Sequence, residues 1–212
     1  VDVHSKPQAS ARFSQKRHAF LLDTAMTIFV SRGLGSATID EIAQVAGISK
    51  ATIYRRYANK DELFEAAIIQ TTEPLAQAFK EIELDPATPE ASLTRAADTI
   101  YYLMRQPRQL EVFRAIVAEA SRLPLLVQRS RLQMLATLTQ SLTSYFQQLV
   151  AAGVMVSPYP EQSAVNFIIL TGGGMRPLLG VGNDGSSSDE QRRREADLDL
   201  FLRGTGIRVS HA

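Results

Sequence analysis

The chain is 212 residues long, 45% hydrophobic and close to neutral overall, with a formal net charge of +1 and no cysteine. That length and apolar content support a substantial core in one large or two small domains, and the lack of cysteine excludes disulfides and thiolate metal sites. No stretch is apolar for long enough to span a bilayer and no signal-peptide pattern opens the sequence, so a soluble, cytoplasmic protein without a membrane partner is expected.

The near-neutral total hides a division. Residues 1–60 hold nine Lys or Arg against four Asp or Glu, a net of +5, while the remainder holds 14 against 18, a net of −4. A basic N-terminal unit on a mildly acidic body suits a nucleic-acid reader joined to a module with another task. Residues 1–13, which include Pro7 and lack helical periodicity, read as a flexible arm. Its Lys6 and Arg12 suit a reach into a minor groove, and an ordinary disordered terminus accounts for them equally well. From Ser14 to Arg32 the apolar set Leu22, Ala25 and Phe29, flanked by Leu21 and Ile28, describes an amphipathic helix ended by Gly33. Lys16, Arg17 and His18 open that helix where phosphate contacts would fall; His18 is read as a solvent-exposed helix residue.

The stretch from Thr38 to Leu63 reads as two short helices joined by a tight turn, followed at once by a third. Ile39, Ile42, Ala43 and Ala46 share one helical face, and Thr38 with Glu41 forms a capping-box pattern before it. Gly47 supplies the left-handed position that ends this helix, Ser49 caps the next, and Asn59 with Glu62 opens the third. Together these signals predict a helix-turn-helix. Its second helix, about Lys50 to Tyr57, turns Ile53 and Tyr57 inward. Outward it offers Lys50, Thr52, Tyr54, Arg55 and Arg56, with Lys60 just beyond. Such a face presents donors and cations with almost no acid, as a phosphate backbone and base edges require. A lone basic helix is often only a solvated surface; its place as second helix of a helix-turn-helix favours DNA reading.

Extended back to Arg17, this region resembles the DNA-binding domain of the TetR family of transcriptional regulators. The matching residues are Leu21, Leu22, Ala25, Phe29 and Gly33, then Thr38, Ile42, Ala43, Ala46, Gly47 and Ser49, and then Ile53, Tyr54, Tyr57, Lys60, Leu63 and Phe64. Ala51 stands where glycine is frequent and Tyr57 where phenylalanine is usual. The resemblance implies a homodimer on double-stranded DNA, and two readers in successive major grooves require an inverted-repeat operator. Thr38, Ser49, Tyr54 and Lys60 are the expected phosphate anchors; Lys50, Thr52 and Arg55 are the expected base readers.

Beyond residue 60 the pattern stays helical: about 61–80 with Pro74 inside, 89–105, 107–121, 125–152 ended by Gly153, 158–179 and 188–203. Pro86 and Pro89 mark a loop, and a Gly- and Ser-rich loop covers 180–188. The expected fold is all-α with about nine helices. A helix-turn-helix domain over 14–60 is followed by a C-terminal helical bundle over 61–212. Tyr101, Met104, Phe113, Ile116, Met134, Leu138, Phe146 and Phe167 spread large side chains over several of the bundle's helices. Most such residues are core, yet they are also what would line a pocket for a largely apolar ligand. The family resemblance implies such a pocket, holding a small-molecule effector whose entry releases DNA. The run from Phe113 to Ala120, followed by Pro124, further resembles the C-terminal domain of AefR-like members. Arg114 and Glu119 within it are read as buried polar residues in structural pairs.

The resemblance also implies dimerisation through residues about 161–179 and 189–203. Gly172, Gly173 and Gly174 fail as a phosphate loop, with neither a strand before them nor a Gly-Lys-Ser/Thr ending. The charged run Glu190 to Glu195 reads as the solvated face of the last helix, whose apolar side is Ala196, Leu198, Leu200, Phe201 and Leu202. Histidines at 4, 18 and 211 are scattered, and no histidine–carboxylate spacing suggests a metal site, so neither catalysis nor a cofactor is expected. The Asp40-Glu41 and Asp61-Glu62 pairs sit at helix starts, where the macrodipole accounts for them. The expected function is a ligand-responsive transcriptional regulator, of the repressor type. The alternative is a small-molecule-binding or scaffold protein whose helix-turn-helix does not read DNA.

Overall fold

The computed structural model describes residues 6–174, 176–177, 179–180 and 188–208; within 6–14 and 125–138 it describes the backbone, and of the side chains only Gln128 and Ala136. The fold is all-α. The described residues form α1 (Lys6–Ser36), α2 (Ile39–Ala46), α3 (Lys50–Tyr54), α4 (Lys60–Lys80), α5 (Pro89–Leu103), α6 (Pro107–Glu119), α7 (Pro124–Ala151), α8 (Pro160–Thr171) and α9 (Ser188–Gly204). No helix among them is long and apolar enough to cross a membrane.

The chain divides into two compact units. One takes the residues up to Glu73 together with 114–130; the other takes 74–113 and 131 onward. The division therefore falls inside α4, at Pro74, rather than at residue 60. Leu63, Phe64, Ala67 and Ile68 on the first half of α4 are all buried, and the Phe64 ring meets Phe29 of α1 edge-on, with centroids 5.2 Å apart. The helix passes through Pro74 unbroken. The side chains of Thr71 and Thr72 donate to the carbonyls of Ala67 and Ile68 just before it.

In the first unit, α1 begins earlier than expected. Residues 6–13 are helical and not an arm. Pro7 sits in the first turn, where its missing N–H would have no helical partner anyway, and Gln8 to Arg12 are tolerable helix formers. Gly33 interrupts the helix with φ 75° and ψ 152°, as its position in the sequence suggested. Buried Leu22, Ala25, Met26 and Phe29 of α1, Ile39, Ile42 and Ala43 of α2, and Ile53 of α3 give this unit its core. Of the α6 residues read as buried polar, Glu119 pairs with Arg122 at 2.7 Å, whereas Arg114 is exposed.

In the second unit, Leu75 and Phe79 of α4 join Leu93, Ala96 and Ile100 of α5, Phe146 and Leu149 of α7, Phe167 of α8 and Phe201 of α9 in one buried cluster. Helix α8 is shorter than expected, ending at Thr171. Gly173 and Gly174 adopt φ of 83° and 58°, and the Gly174 N–H returns to the Ile169 carbonyl at 2.9 Å. These left-handed residues stop the helix where the apolar pattern alone would have continued it. Residues 175, 178 and 181–187, including most of the expected Gly/Ser loop, lie outside the described residues.

Candidate nucleic-acid interface

The reading motif is assembled by its caps. Thr38 Oγ1 accepts from the Glu41 N–H at 3.2 Å. The reciprocal half of the expected box is replaced by an ion pair, with the Glu41 carboxylate 3.4 Å from Arg32. Gly47 is left-handed, with φ 65° and ψ 35°, and the next N–H, of Ile48, returns to the Ala43 carbonyl at 3.0 Å. Ser49 then caps α3, accepting from the Thr52 N–H at 3.2 Å. Asn59 Oδ1 takes the Glu62 N–H at 2.9 Å while the Glu62 carboxylate takes the Ala58 N–H at 2.8 Å. One orphan donor at each of these helix starts is thereby met by a short polar side chain.

Helix α3 is shorter than the sequence suggested. It ends at Tyr54, with Arg55 as its C-cap and Arg56 in the following turn, its N–H bonded to the Ile53 carbonyl at 2.9 Å. The tightening to three-residue spacing makes a 3₁₀-like exit that lets Tyr57 turn back toward α1. Ile53 is fully buried, and Lys50, Ala51, Tyr54, Arg55 and Arg56 are exposed. Thr52 is half-buried, its hydroxyl 2.9 Å from that of Ser49.

Two expected DNA contacts are already engaged. Lys60 Nζ donates to the Ala37 and Gly35 carbonyls at 2.7 and 3.1 Å, which binds the start of α4 to the loop before Thr38. Two of its three donors are spent on that loop, leaving one for a phosphate. Lys50 Nζ lies 2.7 Å from Asp40 Oδ2. His18, read as solvent-exposed, is half-buried instead: its Nε2 is 2.6 Å from the Tyr57 hydroxyl and the two rings are parallel to within 12°. Burial, and then the charge of Arg56, hold the His18 imidazole below its ordinary value of 6.5. The sequence signal for this pair was the hydroxyl at Tyr57, on a residue whose stripe faces inward.

The pocket residues fare differently. Phe146 and Phe167 are completely buried and pack against Phe201 with ring centroids 5.5 and 4.9 Å away; they are core. Met104 and Phe113 are partly buried against that core and Tyr101 is buried. Ile116 is half-buried in the other unit, and the side chains of Met134 and Leu138 lie outside the described residues. A cleft of about 480 Å³ does open between α5, α8 and α9, lined by Thr94, Asp98, Thr171, Gln191, Arg194 and Glu195, with Ala97 and Leu198 as its apolar part. None of the expected residues with described side chains lines it, and its polar walls differ from the apolar pocket that the sequence suggested.

Beside this cleft is a charged group that the sequence reading placed in solvent. Glu190 is buried, not solvated: it receives Arg105 at 2.9 Å and Arg193 at 2.6 Å. Arg194 pairs with Asp98 and lies 4.0 Å from the centre of the Tyr101 ring. Conversely Leu200, expected on the apolar side of α9, is 62% exposed. The α9 stripe that faces the protein runs Glu190, Arg194, Leu198, Phe201. Stepping back from Phe201 at helical spacing would have found it; charge alone misled.

The chain is similar to known helix-turn-helix regulators. Residues 21–67 match the family model for bacterial regulatory proteins of the TetR family, and residues 91–204 match the C-terminal domain of AefR-like transcriptional repressors. An uncharacterized HTH-type transcriptional regulator of Bacillus subtilis, YvkB, is 24% identical over 192 residues, covering 87% of this chain and 94% of that protein. The HTH-type regulator TtgW of Pseudomonas putida is 29% identical over 99 residues, 47% of this chain, and the match spans 66% of TtgW. Among solved structures, the flavonoid-responsive regulator FrrA is 25% identical and superimposes with a TM-score of 0.74, covering 92% of this chain and 100% of its own.

Proposed function

Because the chain belongs to the TetR family of helix-turn-helix transcriptional regulators, we propose that it is a ligand-responsive repressor that binds an inverted-repeat operator as a homodimer. The observation that carries the reading is the construction of α3. Ile53 anchors it from inside, Ser49 caps it, and Lys50, Tyr54 and Arg55 stand exposed. Thr38, Ser49, Tyr54 and Lys60 serve as phosphate anchors, while Lys50, Thr52 and Arg55 address base edges. Repression is supported by the AefR-like repressor match over the C-terminal residues.

Pairing through α8 and α9 is supported by Ile169 and Leu200, which are 53% and 62% exposed on those helices; a second copy would cover them. The effector acts through the C-terminal bundle, as a small molecule with differential affinity for the DNA-bound and released states. Selection of bound sequences from random duplex DNA, followed by salt titration of the winner, tests the reading. An inverted-repeat winner whose affinity falls steeply with salt is the expected result. Salt-insensitive or absent binding overturns it in favour of a ligand-binding or scaffold role.

A further inference from the structure

Among the described residues, Asp40 is the one acidic side chain that touches a proposed base reader. It stands in the first turn of α2, where the macrodipole alone would justify a carboxylate. Its contact is more specific than that: Oδ2 lies 2.7 Å from Lys50 Nζ across the turn, with the side chains 65% and 56% exposed. The neighbouring acids are engaged elsewhere, Glu41 with Arg32 and Glu62 with the Ala58 N–H. We infer that Asp40 is a specificity-determining positioning residue, which aims the Lys50 ammonium at a base edge and cancels its charge toward the phosphate backbone.

The inference rests on the reading that α3 faces DNA. An ammonium carries three donors on a flexible stem, and unrestrained it seeks the nearest phosphate, a contact every sequence offers equally. Held by Asp40, Lys50 keeps two donors for the acceptors on a guanine edge. Because an exposed ion pair is worth little on its own, it costs the fold little to lose. Its effect falls on partner choice: with its charge answered by Asp40, Lys50 gains little from a bare phosphate and most from a base edge, so wrong sequences lose more than the right one.

The experiment compares the full-length protein with Asp40→Asn, Lys50→Ala and the double variant, on the selected operator and on a random duplex across a salt series. Asp40→Asn should bind the random duplex about 3–10-fold more tightly and steepen its salt slope by about 0.9, the value for one further phosphate contact. The operator should gain less, so that discrimination falls. In the Lys50→Ala background Asp40→Asn should have no such effect, and Asp40→Glu should restore discrimination in part. Equal tightening on both duplexes, or a gain that persists without Lys50, overturns the assignment and leaves only a general charge effect. Wild-type protein with no salt-dependent DNA binding is a different outcome, which removes the DNA reading itself and this inference with it.

Discussion

The Tyr57 hydroxyl lies 2.6 Å from His18 Nε2, so the residue that leaves the reading helix is tied back to the helix that supports it. The bond spans 39 positions of sequence and is half-buried. It restrains the turn that carries Arg55 and Arg56. Tyr57→Phe keeps the ring and removes only the bond, and should cost about 0.5–1.5 kcal/mol of stability. If the bond orients Arg55, operator affinity should fall while random-duplex affinity holds. Unchanged discrimination in a binding titration would assign Tyr57 to packing alone.

The same pair makes a pH prediction. Burial first, and Arg56 second, depress the His18 pKa from 6.5 in the folded protein. The folded state therefore favours the neutral ring. The stability this contributes is complete above pH 6.5, the unfolded value, and is lost as pH falls through the lowered folded value. Urea midpoints of the wild type should decline over that window relative to His18→Gln. Titration of the ring resonances above pH 6.5 would contradict the direction.

Lys60 serves two purposes that one variant can separate. Its ammonium bonds the Gly35 and Ala37 carbonyls, and it is proposed to give its third donor to a phosphate. Lys60→Met keeps the stem and should destabilise the fold by about 1–2 kcal/mol, the lower end for charged hydrogen bonds at a half-exposed site. It should also weaken operator and random duplex alike and flatten the salt slope by about 0.9. A lost stability increment with an unchanged slope would confine Lys60 to holding the loop.

The elements were largely legible because their ends carry local chemistry. Thr38, Gly47, Ser49 and Asn59 each act within four residues of themselves, and each formed its cap, the returning Glu41 half of the Thr38 box excepted. What could not be read was longer in range. Glu190 looks solvated beside three arginines, and its burial depends on Arg105, 85 positions away. The glycine run, which in the sequence only fails as a phosphate loop, is a second case. In the structure a Cβ on Gly173 would stand 2.7 Å from the Arg105 guanidinium, so the glycine makes room for a side chain from the turn after α5. The bundle's large residues carry no periodic signal that separates core from pocket. Phe146 and Phe167 proved to be core, and the open cleft took residues that pattern reading ignores.

The exposure of Leu200 gives a direct test of assembly. It projects from α9 at 62% exposure, away from buried Phe201 and Leu202. Leu200→Glu should leave the monomer fold intact, since it removes no buried contact there. If α8 and α9 pair two copies, a carboxylate desolvated near the axis should shift the dimer toward monomer by at least tenfold in Kd, about 1.4 kcal/mol or more. Operator binding should fall with it, because a single reader spans one half-site. Sedimentation equilibrium showing an unaltered dimer would place the interface elsewhere.

The buried charges around Glu190 should respond asymmetrically to substitution. Arg105 and Glu190 side chains are only 9% and 4% exposed. Burial pushes the Glu190 carboxyl up, but the hydrogen bond from Arg193 and the charges of Arg193, Arg105 and Arg176 outweigh it and hold the carboxyl below its ordinary 4.5. Removing the carboxylate therefore leaves clustered cations, one of them deeply buried. Glu190→Gln should cost about 3–5 kcal/mol. Arg105→Met leaves Glu190 still paired with Arg193, and though it forfeits the bond to the Gly172 carbonyl at 3.0 Å, its cost should be smaller, about 1–3 kcal/mol. The carboxylate's contribution is present above pH 4.5 and disappears as pH falls through its lowered folded value, so acid should narrow the gap between wild type and Glu190→Gln. Urea unfolding of both variants at neutral and acid pH decides the order. Arg105→Met proving the costlier change would mean that the guanidinium holds the end of α5 through backbone carbonyls and the Tyr101 ring, with the carboxylate secondary.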